Sequence, residues 1–250
     1  MSYVLNHPVL LLVLSLPVLW LSVQAGKWVG RARPLATEVR PAFEVIQSAA
    51  LTLLGLIIGF SFSMALARYD QRKNYEEAEA NAIGTEFVRA DLLPAEDAAK
   101  VRALLRDYLD QRITYYTARH EPVEARTGEL QAQLWAAVAG PAMARPTPVT
   151  ALAVSGMNDV INAQGYTQAA WLNRIPIAAW ALMATLAVFC NALLGFQLVK
   201  ARPGPLMQLL LPALVSVAVF LIADIESPRA GLIRVSPQNL LILAGSLRPP

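Results

Sequence analysis

The chain has one cysteine, Cys190, and two histidines, His7 and His120, in 250 residues. A lone thiol excludes an intrachain disulfide and any cysteine-rich metal site. Two histidines so far apart offer no histidine-based zinc motif. Charge is also scarce: 16% of residues are Asp, Glu, Lys or Arg, against roughly 25% in soluble domains. A net charge of +3 is too small and too scattered for a nucleic-acid binder, so no nucleic-acid partner is expected. No Gly-rich phosphate loop, Ser-His-Asp set or metal motif is present, so neither an enzyme nor a cofactor is expected.

Apolar residues are what the chain has in abundance, at 56%, with a mean hydropathy of +0.43. The few charges are concentrated. Between Arg68 and Arg174 lie 12 Lys/Arg and 14 Asp/Glu, while long blocks elsewhere have none. Such a distribution predicts an all-α integral membrane protein with one water-facing insert, whose main partner is the lipid bilayer.

A bilayer core of about 30 Å takes roughly 20 apolar residues in a helix. Four stretches qualify: Pro8 to Ala25, Val45 to Ala67, Ile175 to Val199, and Pro203 to Ala223. The expected organisation is two spans in 1–67, a helical insert in 68–174, two spans in 175–223, and a tail with a short helix in 224–250. Trp20, Trp28, Trp171 and Trp180 fall near span ends, where interfacial aromatics belong. Val23-Gln24-Ala25 is a loose signal-peptidase site, but no basic residue precedes the first span, so an uncleaved span is expected. Charge flanking the first span favours short loops inside and the insert outside.

The insert reads as helical. No Pro interrupts Val45 to Leu93, so the second span should continue as one rod of roughly 70 Å until Pro94 stops it. Further helices are expected over Ala95–Arg119, with Val101, Leu104, Leu105, Tyr108, Ile113 and Tyr116 inward. Another, Val123–Ala139, carries Leu130, Leu134, Trp135 and Val138. A proline-rich loop follows over Gly140–Pro148, then a helix over Thr150–Asn173 that joins the third span near Pro176. Ser236-Pro237 opens a short closing helix.

The sharpest pattern is in the second span. Ser48, Thr52, Gly55, Gly59 and Ser63 recur at helical spacing on one face, with Phe60 or Phe62 as a candidate constriction. Such a stripe serves close helix packing or lines a pore. Asp70, Asn74, Glu77, Asn81, Gly84 and Val88 form a heptad-like polar line, read as a solvated face or a mixed seam. The alternative is an acidic site from Glu76, Glu77 and Glu79. Arg68, Asp70, Arg72, Asp224 and Arg229 form a candidate interfacial charge network, set against independently solvated flanks. Inside the third span, Asn191 is expected to hydrogen-bond to another helix.

The run Leu53 to Ala65, then Arg68-Tyr69-Asp70-Gln71-Arg72, then Glu77 to Thr85, resembles a bacterial family described as the bestrophin-like domain. The stop at Arg89 to Pro94 and the tail from Asp224 to Ser236 extend the likeness over essentially the whole chain. More distantly, the pattern is similar to bestrophins, pentameric calcium-gated anion channels with four spans per subunit and a helical cytosolic part. That likeness implies a homo-oligomeric ion channel in the bacterial inner membrane, lined by the second span, with the insert in the cytosol. No stretch matches the acidic calcium clasp of bestrophins. The alternative is a non-conducting sensor or scaffold whose insert binds a partner or ligand.

Overall fold

Helix formers run almost unbroken through this chain, and prolines and glycines mark where one helix yields to the next. The computed structural model describes residues 7–34, 36–118, 124–201, 204–229 and 231–247. Among them are eight α-helices and no strand: α1 (Pro8–Ala32), α2 (Arg40–Arg89), α3 (Ala95–Thr117), α4 (Glu124–Ala144), α5 (Pro148–Leu172), α6 (Ile177–Ala201), α7 (Pro205–Glu226) and α8 (Gln238–Leu247). Four helical stretches are long and apolar enough to cross a membrane. The expected end at Arg119 and the starts at Val123 and Pro203 lie outside the described residues.

Helix ends follow local chemistry. α1, α5 and α7 each have Pro in their first turn, where its missing N–H costs nothing. α2 runs 50 residues without a break at Arg68 or Asp70; a short 3-10 turn, Ala90–Leu92, and then extended backbone at Leu93 and Pro94 end it. The expected loop over Gly140–Pro148 is largely helical instead. α4 continues through Pro141 to Ala144, and the carbonyl of Pro141 accepts from the Arg145 N–H at 3.0 Å. Proline gives up its own donor there, but its carbonyl still serves the last turn. Thr147 caps α5 reciprocally with Thr150, the pattern of a capping box.

Two units divide the chain. The membrane unit comprises Met1–Ala67 with Arg174–Arg234, and the insert unit comprises Arg68–Asn173 with Val235–Pro250. In the membrane unit, α1 lies directly on α6. A Cβ on Gly26 would collide with the Ala192 carbonyl oxygen, and one on Gly195 with that of Val23. Glycine on both helices therefore allows backbone-to-backbone approach, which maximises dispersion contact where lipid supplies no hydrophobic drive. Leu19, Leu54, Ala187, Cys190 and Val215 form the buried cluster beside it. Asn191 is fully buried, but its Nδ2 donates to the Ala187 carbonyl of its own helix at 2.8 Å. Its four-residue reach competes with any interhelical partner.

The insert core gathers Ile83, Val101, Leu105, Tyr108, Leu130, Leu134, Met157, Val160 and Leu240. Trp135 is 42% exposed. Trp171 is a core residue rather than an interfacial one, with ring centroids 4.8 Å from Tyr115 and 5.4 Å from Tyr116. Aromatic packing outweighs the preference for an interface.

Candidate functional site

The membrane half of α2 has two distinct sides. Gln47, Leu54, Ser61 and Ala65 are buried, at steps of seven and four that keep them on one side. Ser48, Thr52, Gly55, Gly59, Phe62 and Ser63 lie about 120° round the helix and are all exposed. A Cβ on Gly55 or Gly59 would meet nothing within 4 Å, so no described residue packs on these two glycines. Thr52 Oγ1 donates to the Ser48 carbonyl at 2.9 Å and Ser48 Oγ to the Val45 carbonyl at 3.2 Å. Each hydroxyl thus has an acceptor on its own helix and keeps its oxygen lone pairs turned outward as acceptors.

In the insert, α2 carries a different pattern. Arg72, Glu76, Glu79 and Glu86 are all buried, whereas Asp70, Asn74, Glu77, Asn81 and Val88 are exposed. The polar line is therefore an exposed face of the chain, except at half-buried Gly84, where the Leu243 side chain packs. Glu76 and Glu79 belong to the opposite side from Glu77, so the three do not form a common cation site. Among the described residues no group of three or more His, Cys, Asp or Glu could hold a metal.

Glu79 and Glu76 each hold neighbouring helices. Arg112 of α3 pairs with Glu79 through Nε and Nη2, the latter at 3.4 Å. Thr167 Oγ1 donates to the same carboxylate at 3.1 Å and the Tyr116 hydroxyl at 3.5 Å, and the guanidinium lies 4.3 Å from the Tyr115 ring centre. Burial, then the Glu79 charge, pushes the Tyr116 phenol up, so it stays protonated as a donor. Burial opposes the Arg112 charge, yet the Glu79 carboxylate more than offsets it. Glu76 accepts from the Leu240 N–H at 3.0 Å and from Asn239 Nδ2 at 2.6 Å, at the positive end of α8. At the other end of α8, Arg106 Nε donates to the Leu247 carbonyl at 2.9 Å. Glu76→Ala is expected to release α8, at a cost of about 1–3 kcal/mol for the donors left unpaired. Hydrogen exchange over residues 238–247 reads this; unchanged protection would contradict it.

Of the candidate interfacial charges, Arg72 and Asp224 each make hydrogen bonds within their own unit. Arg72 donates to the carbonyls of Ala170 at 3.3 Å and Asn173 at 3.5 Å, where α5 ends. Asp224 is buried and accepts from the N–H groups of Leu232 at 2.7 Å and Ile233 at 2.8 Å. Gly231 makes that return possible, since a Cβ there would collide with the Asp224 carbonyl. Glu226 accepts from the Ile175 N–H at 2.8 Å. Asp70 is exposed, and Arg68 and Arg229 are partly buried. Sequence reasoning grouped Glu76 and Glu79 with Glu77 and missed Glu86; the signal of the buried set is its shared spacing with Arg72, Ile83 and Ala90.

The bestrophin-like domain profile matches residues 12–240. The chain belongs to the bestrophin-like domain family. None of the curated proteins matches it. It is similar in fold to crystal structures of a bacterial bestrophin homologue from Klebsiella pneumoniae. For the one phased on zinc, identity is 16%, coverage is 97% of this chain and 99% of that chain, and the TM-score is 0.68. Two point-mutant structures of that homologue match at 15% and 14% identity, with TM-scores of 0.65 and 0.68. They cover 96% and 95% of this chain and 96% and 97% of theirs. This bestrophin-like chain is thus an all-helical membrane protein with four apolar helical stretches and a helical insert.

Proposed function

We propose that this bestrophin-like protein is a homo-oligomeric ion channel of the bacterial inner membrane, with α2 of each copy lining the path. The bare stripe of Ser48, Thr52, Gly55, Gly59, Phe62 and Ser63 carries the reading. One side of α2 is used by its own chain, and the exposed remainder pairs this small, polar stripe with large apolar residues such as Leu53, Phe60 and Met64, so the stripe suits a shared axis. Hydroxyl and carbonyl oxygens along it can replace part of an ion's hydration, and Phe62 supplies an apolar narrowing. Resemblance to bestrophins, which are pentameric ion channels, supports an oligomeric channel. No residue here answers to their calcium clasp, so the gate is not assigned to calcium.

Ion flux from liposomes tests this. The parent protein is expected to conduct, and Ser63→Trp to reduce flux at least about tenfold by filling the path. Gly59→Leu is expected to disturb assembly, and Ile57→Leu, away from the stripe, to be mild. No flux from the parent with assembly intact would favour the non-conducting sensor or scaffold instead.

A further inference from the structure

Glu86 is the one buried acid of α2 without a hydrogen-bond partner among the described residues: its side chain is fully buried and neither oxygen is paired. It lies against α5 where Gly156 has no side chain. A Cβ on Gly156 would collide with Glu86 Oε2 and fall 2.6 Å from Arg89 Nη1. The carboxyl and the guanidinium thus converge on the space of one methyl group. Arg89 also reaches Asp159 of α5, Nη1 to Oδ2 at 3.7 Å. From α3, Arg102 is held by Asp91 at 2.5 Å and by the Phe87 carbonyl at 3.3 Å. The charged groups around Glu86 are therefore Arg89 and Asp159, with Arg102 already engaged. A buried carboxylate with no donor is costly, and the protonated form is cheaper. Burial, reduced by Arg89 and reinforced by Asp159, pushes the Glu86 carboxyl up to about 8.

We propose that Glu86 is a proton-operated contact between α2 and α5. Protonated, it rests on the Gly156 backbone and leaves Arg89 to Asp159. Once its proton passes to solvent, the carboxylate draws Arg89 from Asp159 and loosens α5 around Gly156. The device does not depend on whether α2 lines a pore.

The sign of its pH dependence follows from linkage. The unfolded carboxyl ionises near 4.5 while the folded one holds its proton to about 8. The Glu86 contribution to insert stability is therefore complete below about 4.5, falls as pH rises through about 8, and levels off above.

The test is hydrogen exchange across residues 149–162 in the intact protein in detergent, corrected for intrinsic exchange. Protection is expected to fall about tenfold or more between about pH 6 and about pH 9. Glu86→Gln, which cannot ionise, is expected to remove that slope. An infrared titration of the unmutated protein provides a second readout, with a protonated carboxyl band vanishing near pH 8. A flat profile in the parent, the same slope in Glu86→Gln, or no carboxyl titrating above the ordinary Glu range overturns the proposal.

Discussion

Arg112→Ala is expected to cost about 3–5 kcal/mol, the loss that follows when one member of a buried ion pair is removed. Arg112 is 1% exposed and Glu79 not at all. Without the guanidinium, Glu79 keeps only the hydroxyls of Thr167 and Tyr116, too little to compensate a buried charge. A domain of ordinary stability, about 5–15 kcal/mol, would lose a large share of it. Thermal unfolding of the intact protein in detergent reads the loss. Replacing both partners together, Arg112→Met with Glu79→Leu, is expected to recover most of it, because an apolar pair leaves no orphaned charge. A single-mutant loss of about 1 kcal/mol or less, as for an exposed pair, would contradict this account of the insert.

A comparably large effect is expected in the membrane unit from a single methyl group. Gly26→Ala places its Cβ on the Ala192 carbonyl oxygen, and Gly195→Ala does the same to that of Val23. Backbone cannot swing aside as a side chain can, so α1 and α6 must separate. Overpacking of this kind costs about 1–3 kcal/mol or more. Gly30→Ala is expected to be milder: its nearest obstacle, at 2.9 Å, is a methyl of Val199 that can rotate. Gly55→Ala and Gly59→Ala should leave the fold of a single chain unaffected, since nothing lies within 4 Å of either. Melting temperatures across the five variants should rank them in that order. Equal effects at Gly26 and Gly55 would contradict it.

The glycine comparison shows how far sequence could reach. Charge-free runs reveal spans because lipid tolerates no unpaired charge, and the absence of proline in Val45–Leu93 revealed the continuity of α2. The Gly26–Gly30 pair was harder to read because it straddles the end of the charge-free run at Lys27, in the last two turns of α1. Lys27 marks the end of a charge-free stretch, but it does not end the helix; its ammonium donates to Gln208 of α7 at 2.8 Å. Gly55 and Gly59 gave the cleaner pattern, yet face away from their own chain. Spacing reports that a face is shared without saying what covers it. The buried acids were masked for the same reason. Glu76, Glu77 and Glu79 look like one cluster in sequence, and only their partners on α3, α5 and α8 separate the two core carboxylates from the exposed one. Pro141 misled because proline was read as a break, although the last turn of α4 accommodates it.

The central claim is that copies of α2 surround a common path with the Ser48–Ser63 face inward. A density map of the purified, unmutated particle in a lipid nanodisc tests it most directly. The account predicts a closed rotational symmetry, with Thr52, Gly59 and Ser63 of every copy facing the axis and an open path between them. A monomer, or an oligomer in which that face meets lipid, would contradict it.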